Sequence, residues 1–265
     1  MIGPVIGDIV GSVYEWNNHR SKDFELLTEK CFFTDDSIMT LAVCDALLKC
    51  SDPEALPAQT VKSMQTIGRP YPHSGYGGRF WGWMYADNPK PYNSFGNGAA
   101  MRVGACGYVG QTEDEVKRLS AAVTGVTHNH PEGIKGAEAT AIAVFLARTG
   151  MPKEALRERI TRDYYPLDFT IDEIRPTYRF NETCQETVPQ ALEAFFEAED
   201  FEDAIRTAIS VGGDSDTLAA ITGAVAEAYY GVPARLRAQA AAYLDPQLAE
   251  ILAAFELRYP AKTID

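Results

Sequence analysis

Apolar positions along this chain recur at three- and four-residue spacing, the period of a helix, and clean alternation over the length of a strand is hard to find. Segments such as PQALEAFFEA (189–198), EDAIRTAIS (202–210) and LAAITGAVAEAYY (218–230) combine that spacing with alanine, the best helix former. Two stretches are apolar nearly all round: SIMTLAVCDALL (37–48), which follows FTDD, and 218–230, which follows GGDSDT. A helix with no polar face is predicted to lie at the centre of the fold. Gly231-Val232-Pro233 supplies the stop for the second of them. The first predicted helix, within MIGPVIGDIVGSVYEW, carries Gly3, Gly7 and Gly11 on one stripe where another backbone can approach closely. Membrane helices use the same spacing, but this run is too short and polar to span a bilayer, so close packing of soluble helices is the expectation. From roughly 70 to 97 the helical pattern lapses into interleaved glycine, proline and aromatic residues. That stretch reads as a long loop, either functional or a hydrophobic lid over a satellite core. No repeat or Pro/Ser linker divides the chain, so residues 1–265 read as a single all-α domain.

Charge and cysteine content narrow the function. The net charge is −13, with no Lys/Arg cluster to offset it, which disfavours nucleic acid as a partner. A pocket for a small anion stays compatible, because a metal ion can invert the local charge. There is no run of 18 apolar residues, and the N-terminus carries Asp8 and no basic leader. The chain therefore reads as a cytoplasmic protein without a membrane segment. Cys31, Cys44, Cys50, Cys106 and Cys184 are odd in number and form no CxxC pair, the pattern of reduced thiols and not of a disulfide set or zinc site. Modest size and the lack of a heptad seam make a monomer the default.

The chemistry concentrates where the two apolar helices begin. FFTDDS places Thr34, Asp35 and Asp36 before one, and GGDSDT places Asp214, Asp216 and Thr217 before the other. Either set could be an N-cap, since Ser, Thr and Asp are favoured there and acids complement the helix dipole. A cap needs one acceptor, however, whereas each set offers two carboxylates and a hydroxyl. Buried helix starts would make several unpaired carboxylates costly without a cation. If the two starts meet in space, their oxygens form a site for hard cations such as Mg²⁺, Mn²⁺ or Ca²⁺, with room for two ions.

Five blocks, IGDIVGSVYEW, FTDDS, SFGNGAAMR, VTHNHPEGIKGA and GGDSDTLAAITGAVA, in that order, resemble the ADP-ribosylglycohydrolase family. The resemblance runs from residue 3 to about 231. It implies a compact orthogonal helical bundle around a dinuclear centre of Mg²⁺ or Mn²⁺, and hydrolysis of the glycosidic bond between ADP-ribose and an acceptor. Matched block by block, Thr34, Asp35, Asp36, Asp214, Asp216 and Thr217 are the implied metal ligands, with Asp216 bridging. Glu15, seven residues after Asp8, matches the family's flap glutamate. The loop Gly96, Asn97, Gly98, Ala100, Met101 and Arg102 resembles the one that grips the diphosphate and distal ribose, and His128 is implied to lie beside the substrate. His130 has no assigned role. His73 is at best a pocket wall, and His19 carries no motif.

In the chemistry so implied, the ions orient the distal ribose and acidify a water, and a carboxylate takes that water's proton as it attacks. Asp35 is the expected base, with Glu15 as gate and second acid/base, although the pair could be reversed. Two alternatives stand beside this: a Mg²⁺-dependent phosphohydrolase on a nucleotide-like substrate, and a non-catalytic structural relative. The acceptor stays open among arginine, serine, thymidine and O-acetyl-ADP-ribose, with THNHP and the acidic balance leaning towards arginine.

Overall fold

The computed structural model describes residues 1–50 and 52–265, and the helical period of the sequence is realised almost throughout. In chain order the helices are α1 (Ile2–Gly11), α2 (Asp35–Lys49), α3 (Leu56–Gly68), α4 (Gly78–Tyr85), α5 (Gly98–Met101), α6 (Gly104–Val109), α7 (Glu113–Thr124) and α8 (Pro131–Arg148). There follow α9 (Lys153–Asp163), α10 (Ile171–Ile174), α11 (Cys184–Glu197), α12 (Phe201–Val211), α13 (Ser215–Tyr230), α14 (Ala234–Ala241) and α15 (Pro246–Arg258). Two-residue strands, β1 (Val232–Pro233) and β2 (Thr263–Ile264), pair in parallel beside Gly231. The fold is all-α, and its apolar side chains join in one contiguous core. No helix among the described residues is long and apolar enough to cross a membrane.

The two helices without a polar face are central. Residues 36–47 of α2 and 215–227 of α13 are buried without interruption. Helix α1 is buried along its whole length and lies antiparallel to α13, its glycine stripe pressed onto the α13 backbone. A Cβ added at Gly3 would come within 2.3 Å of the Gly223 carbonyl oxygen, and one at Gly7 within 2.1 Å of that of Ala219. At Gly11 it would meet Asp216 Cα at 2.3 Å. Side chains are excluded here, so two backbones touch as the four-residue spacing predicts. Glu227 on α13 closes the other end of the pair by accepting the N–H groups of Ile2 and Gly3 at 3.2 and 3.0 Å, two donors no intrahelical carbonyl can reach.

The stretch from 70 to 97 departs from its reading as a loop, because α4 lies inside it. Phe80, Trp83 and Met84 are buried at helical spacing. Gly78 and Gly82, poor helix formers, obscure that period in the sequence. His130 also acquires a role: its Nδ1 accepts the Glu132 N–H at 3.1 Å and caps α8.

Candidate functional site

The antiparallel seam of α1 and α13 decides where the acids go. The C-terminal end of α1 lies against the start of α13, so the turn that follows α1 carries Glu15 towards Asp214 and Asp216. Ligand oxygens of these three residues lie within 4.8 Å of one another. One turn earlier, the buried Asp8 anchors α2 from the same helix. Its carboxylate accepts the Thr34 N–H at 2.9 Å, the Thr34 hydroxyl at 2.6 Å and the Ser37 N–H at 3.0 Å, together with the Ser37 hydroxyl. The starts of α2 and α13 therefore meet: the Thr217 hydroxyl donates to Asp36 Oδ2 at 3.2 Å across 181 residues of sequence.

Capping accounts for little of this carboxylate. Thr34 is the cap of α2, its hydroxyl oxygen accepting the Asp36 N–H at 3.3 Å. Asp214 occupies the cap position of α13, yet its side chain makes no cap bond; it accepts Asn97 Nδ2 at 2.6 Å instead. Among the described residues, Asp36 Oδ1 is buried and has no hydrogen-bond partner. An orphaned carboxylate oxygen costs free energy in a protein interior unless a cation takes it up. The donors are all oxygen, and the set fits hard divalent cations of the Mg²⁺ or Mn²⁺ kind.

The cluster's electrostatics point the same way. Burial first, then the charge of Asp216, pushes Glu15 up to about 7. Burial also raises Asp214, to about 6. Asp35, Asp36 and Asp216 rise well above the usual carboxylate range, from burial and then from each other's charge and that of Asp214 and Asp8. Like charges at such distances cannot all ionise together without a counter-charge.

These acids form one end of a cavity of about 290 Å³, and the other end is of opposite character. There Arg102, 1% exposed, donates to the Thr127 hydroxyl at 2.6 Å and stands 3.3 Å from His128 Nδ1. Burial lowers the guanidinium to about 10, still cationic at neutral pH. Burial, with the charges of Arg102 and Arg79, holds His128 well below its ordinary value, so the ring is neutral. A guanidinium can only donate, so Nδ1 accepts and the ring proton sits on Nε2. That nitrogen is the one facing Gly96 and Gly98, as a Cβ on either glycine would lie 3.5 or 3.6 Å from it. Arg79, its guanidinium over the Tyr92 ring, adds a second cation on this side.

Glu15, Asp35, Asp36, Asp214, Asp216 and Thr217 all line the cavity, and so do Gly96, Asn97, Gly98, Met101, Arg102 and His128. Thr34 sits just behind, held by Asp8. Two expectations differ. Ala100 is fully buried on the core side of α5 and does not line the cavity, because a helical turn can present only part of its residues to one side. His73 is exposed and stands away from the cavity wall. From the same loop it is Gly75, at φ +96°, that turns the chain over Asp35, leaving no room for a Cβ within 2.7 Å of Oδ1.

Several residues of the site were not anticipated. Asp8 had a visible signal, an acid within an otherwise apolar glycine-striped helix. Asn18 and Arg20 had none. Asn18 exchanges two hydrogen bonds with the Gly213 peptide, at 2.8 and 2.9 Å. Arg20 donates to the carbonyls of Val211 and Tyr178 at 2.8 and 2.7 Å, and to that of Arg175. Together they hold the turn through Gly212 and Gly213, both at positive φ, that delivers Asp214. Glu182 joins the cavity wall through the Asn97 N–H, which donates to its carbonyl at 2.7 Å.

A family model described as ADP-ribosylglycohydrolase matches residues 1–261. ADP-ribosylhydrolase ARH3 of Mus musculus is 26% identical over 311 aligned residues, covering 88% of this chain and 83% of its own. The Homo sapiens protein of the same name is 26% identical over 313, covering 88% and 84%. In fold, the chain is similar to a solved structure described as an ADP-ribosylglycohydrolase-related protein complex, with a TM-score of 0.70 at 23% identity over 96% of this chain and 94% of the other. Since the matching model runs through both acidic helix starts and nearly the whole core, the chain belongs to the ADP-ribosylglycohydrolase family.

Proposed function

We propose that this protein is a divalent-metal-dependent hydrolase that cleaves the glycosidic bond between ADP-ribose and an acceptor, releasing ADP-ribose. The observation that carries the reading is the meeting of two distant acidic helix starts around the unpartnered Oδ1 of Asp36. Thr34, Asp35, Asp36, Asp214, Asp216 and Thr217 would hold two ions, Mg²⁺ or Mn²⁺. Bound there, the ions supply Lewis acidity and a charge that orients the hydroxyls of the distal ribose.

The chain's own residues do the rest. The Arg102, Arg79 and His128 end takes the diphosphate, with His128 donating from Nε2, and this places the distal ribose at the acidic end. Asp35 accepts the proton of the attacking water, a contribution of about 10²–10⁴-fold for a positioned base. Glu15, raised to about 7, is suited to hold a proton near neutrality and serves as gate and second acid/base. Gly96 and Gly98 let substrate approach the backbone closely. We read the protein as a cytoplasmic monomer, in keeping with five free cysteines and a charge of −13.

A panel of ADP-ribosylated acceptors, incubated with Mg²⁺ or Mn²⁺ and resolved by mass spectrometry, tests this. The glycohydrolase reading expects intact ADP-ribose. Release of AMP or phosphate would establish the phosphohydrolase instead, and no turnover under any metal would mark a structural relative.

A further inference from the structure

Resting on the hydrolase reading above, we propose that Thr127 is a positioning residue: its hydroxyl relays the charge of Arg102 to His128 and fixes that ring with the Nε2 proton aimed at the diphosphate. Thr127 is fully buried, and its Oγ1 stands between the two groups, 2.6 Å from the Arg102 guanidinium and 2.7 Å from His128 Nδ1. The direct approach of Arg102 to Nδ1, at 3.3 Å, is long for a hydrogen bond. The short path runs through the hydroxyl, and it is this path that sets the ring.

The direction of the relay follows from what each group can give. A guanidinium only donates, so Oγ1 accepts from Arg102. The hydroxyl's own proton then has two acceptors in reach, Nδ1 at 2.7 Å and the Thr124 carbonyl at 3.4 Å. The nearer one takes it. A donor on Nδ1 leaves the ring's own proton on Nε2, the nitrogen facing Gly96 and Gly98. Because the first donor is a cation, the hydroxyl is polarised and its bond to Nδ1 strengthened. The backbone is held as firmly. At the end of α7 the Thr124 carbonyl accepts the N–H groups of both Thr127 and His128, at 3.2 and 2.9 Å, and the Thr127 carbonyl accepts that of Tyr92 at 3.1 Å. Phe80 of α4 packs against the guanidinium, 5.4 Å from ring centre to Cζ.

Valine keeps the shape of threonine and lacks the hydroxyl. In its presence the Arg102 nitrogen could reach Nδ1 only by drawing the ring away from the cavity wall. If the ring stays, Nδ1 is free to carry the proton, and Nε2 then turns a lone pair towards an anion. Either way the same contact is lost, the one from Nε2–H to a diphosphate oxygen.

The test reads the ring and the ligand separately. In ¹⁵N-labelled protein, with His128 picked out among four histidines through a His128→Gln variant, long-range ¹H–¹⁵N spectra report which nitrogen carries the proton. The wild type should show a single form, protonated on Nε2, with Nδ1 at a hydrogen-bonded position. Thr127→Val should move the Nδ1 signal and raise the Kd for ADP-ribose, measured by titration calorimetry with Mg²⁺, about tenfold. In turnover the effect should fall on KM more than on kcat, and Thr127→Ser should restore both the signal and the affinity. A wild-type ring protonated on Nδ1 overturns the inference, and needs no variant to fold. So does a Thr127→Val protein with the wild-type signal and affinity, or a Thr127→Ser protein as impaired as Thr127→Val, which would make the methyl group and its packing the cause. In each of these cases the wild type still binds ADP-ribose and the hydrolase stands. If the wild type binds no ADP-ribose and releases none from any acceptor, it is the hydrolase reading that falls, and the diphosphate role of Nε2 with it.

Discussion

A methyl group placed at Gly7 separates the seam from every other packing feature of the molecule. The new Cβ would lie 2.1 Å from the Ala219 carbonyl oxygen, 2.3 Å from its carbon and 2.6 Å from the Ala220 nitrogen. All three are backbone atoms inside a buried helix, so no side-chain rotation relieves the clash. Helix α1 must move away from α13 by more than an ångström. Overpacking of a tight core costs about 1–3 kcal/mol, and a purely backbone obstruction belongs at the upper end. About 3 kcal/mol corresponds to a Tm lowered by about 6–12 °C in a chain of this size. The same displacement carries Asp8 off the α2 start and Glu15 off Asp216, and misplacement on that scale costs on the order of 100-fold in rate. Gly82→Ala is the matched control. It lies within α4 with nothing inside 4 Å of the added Cβ, so the gain in helix propensity should raise stability by about 0.5–1 kcal/mol. Differential scanning calorimetry of both variants, with ADP-ribose release assayed below each Tm, gives the answer. A Gly7→Ala protein as stable and active as Gly82→Ala would refute the claim that backbone contact along this seam builds the site.

Further outcomes follow from the acids. In metal-free buffer, Glu15 (about 7 against 4.5) and Asp214 (about 6 against 3.8) bind more protons folded than unfolded, so stability falls as pH rises through that window. Asp214 alone accounts for a loss of about 3 kcal/mol, millimolar Mg²⁺ should restore it, and a Tm that is flat or rising from pH 4 to 7 without metal would contradict it. Asp36→Asn removes a buried charge, so the metal-free protein should gain Tm near pH 7 while the Mg²⁺-induced shift disappears and turnover drops more than about 100-fold. Asp8→Asn turns an amide donor towards four donors and should cost about 2–4 kcal/mol, read by urea unfolding. Arg20→Ala frees the turn before Asp214, so it should weaken Mg²⁺ binding measured by titration calorimetry, with a stability loss of only about 1–2 kcal/mol.

Much of this protein can be read without coordinates, where the physics is local. The three- and four-residue period marks α2, α11, α12 and α13, and a helix apolar all round must be central, as both α2 and α13 are. The stripe of Gly3, Gly7 and Gly11 announces a backbone contact because nothing else rewards three glycines in one helix. Thr34, Asp35, Asp36, Asp214 and Asp216 stand out because a cap needs only one oxygen. What stayed hidden is non-local. No feature of FTDD says that GGDSD will lie beside it; that follows from Asp8 holding α2 and the glycine seam holding α13 on the same helix. Helix α4 is masked by glycines whose cost is repaid by burial of Phe80, Trp83 and Met84. The sequence by itself determined which segments are helices and which acids exceed their local use. Only the tertiary structure decided that these acids face one another, and that Trp16 stacks on Phe180, because such contacts join residues whose separation along the chain carries no trace of their distance in space.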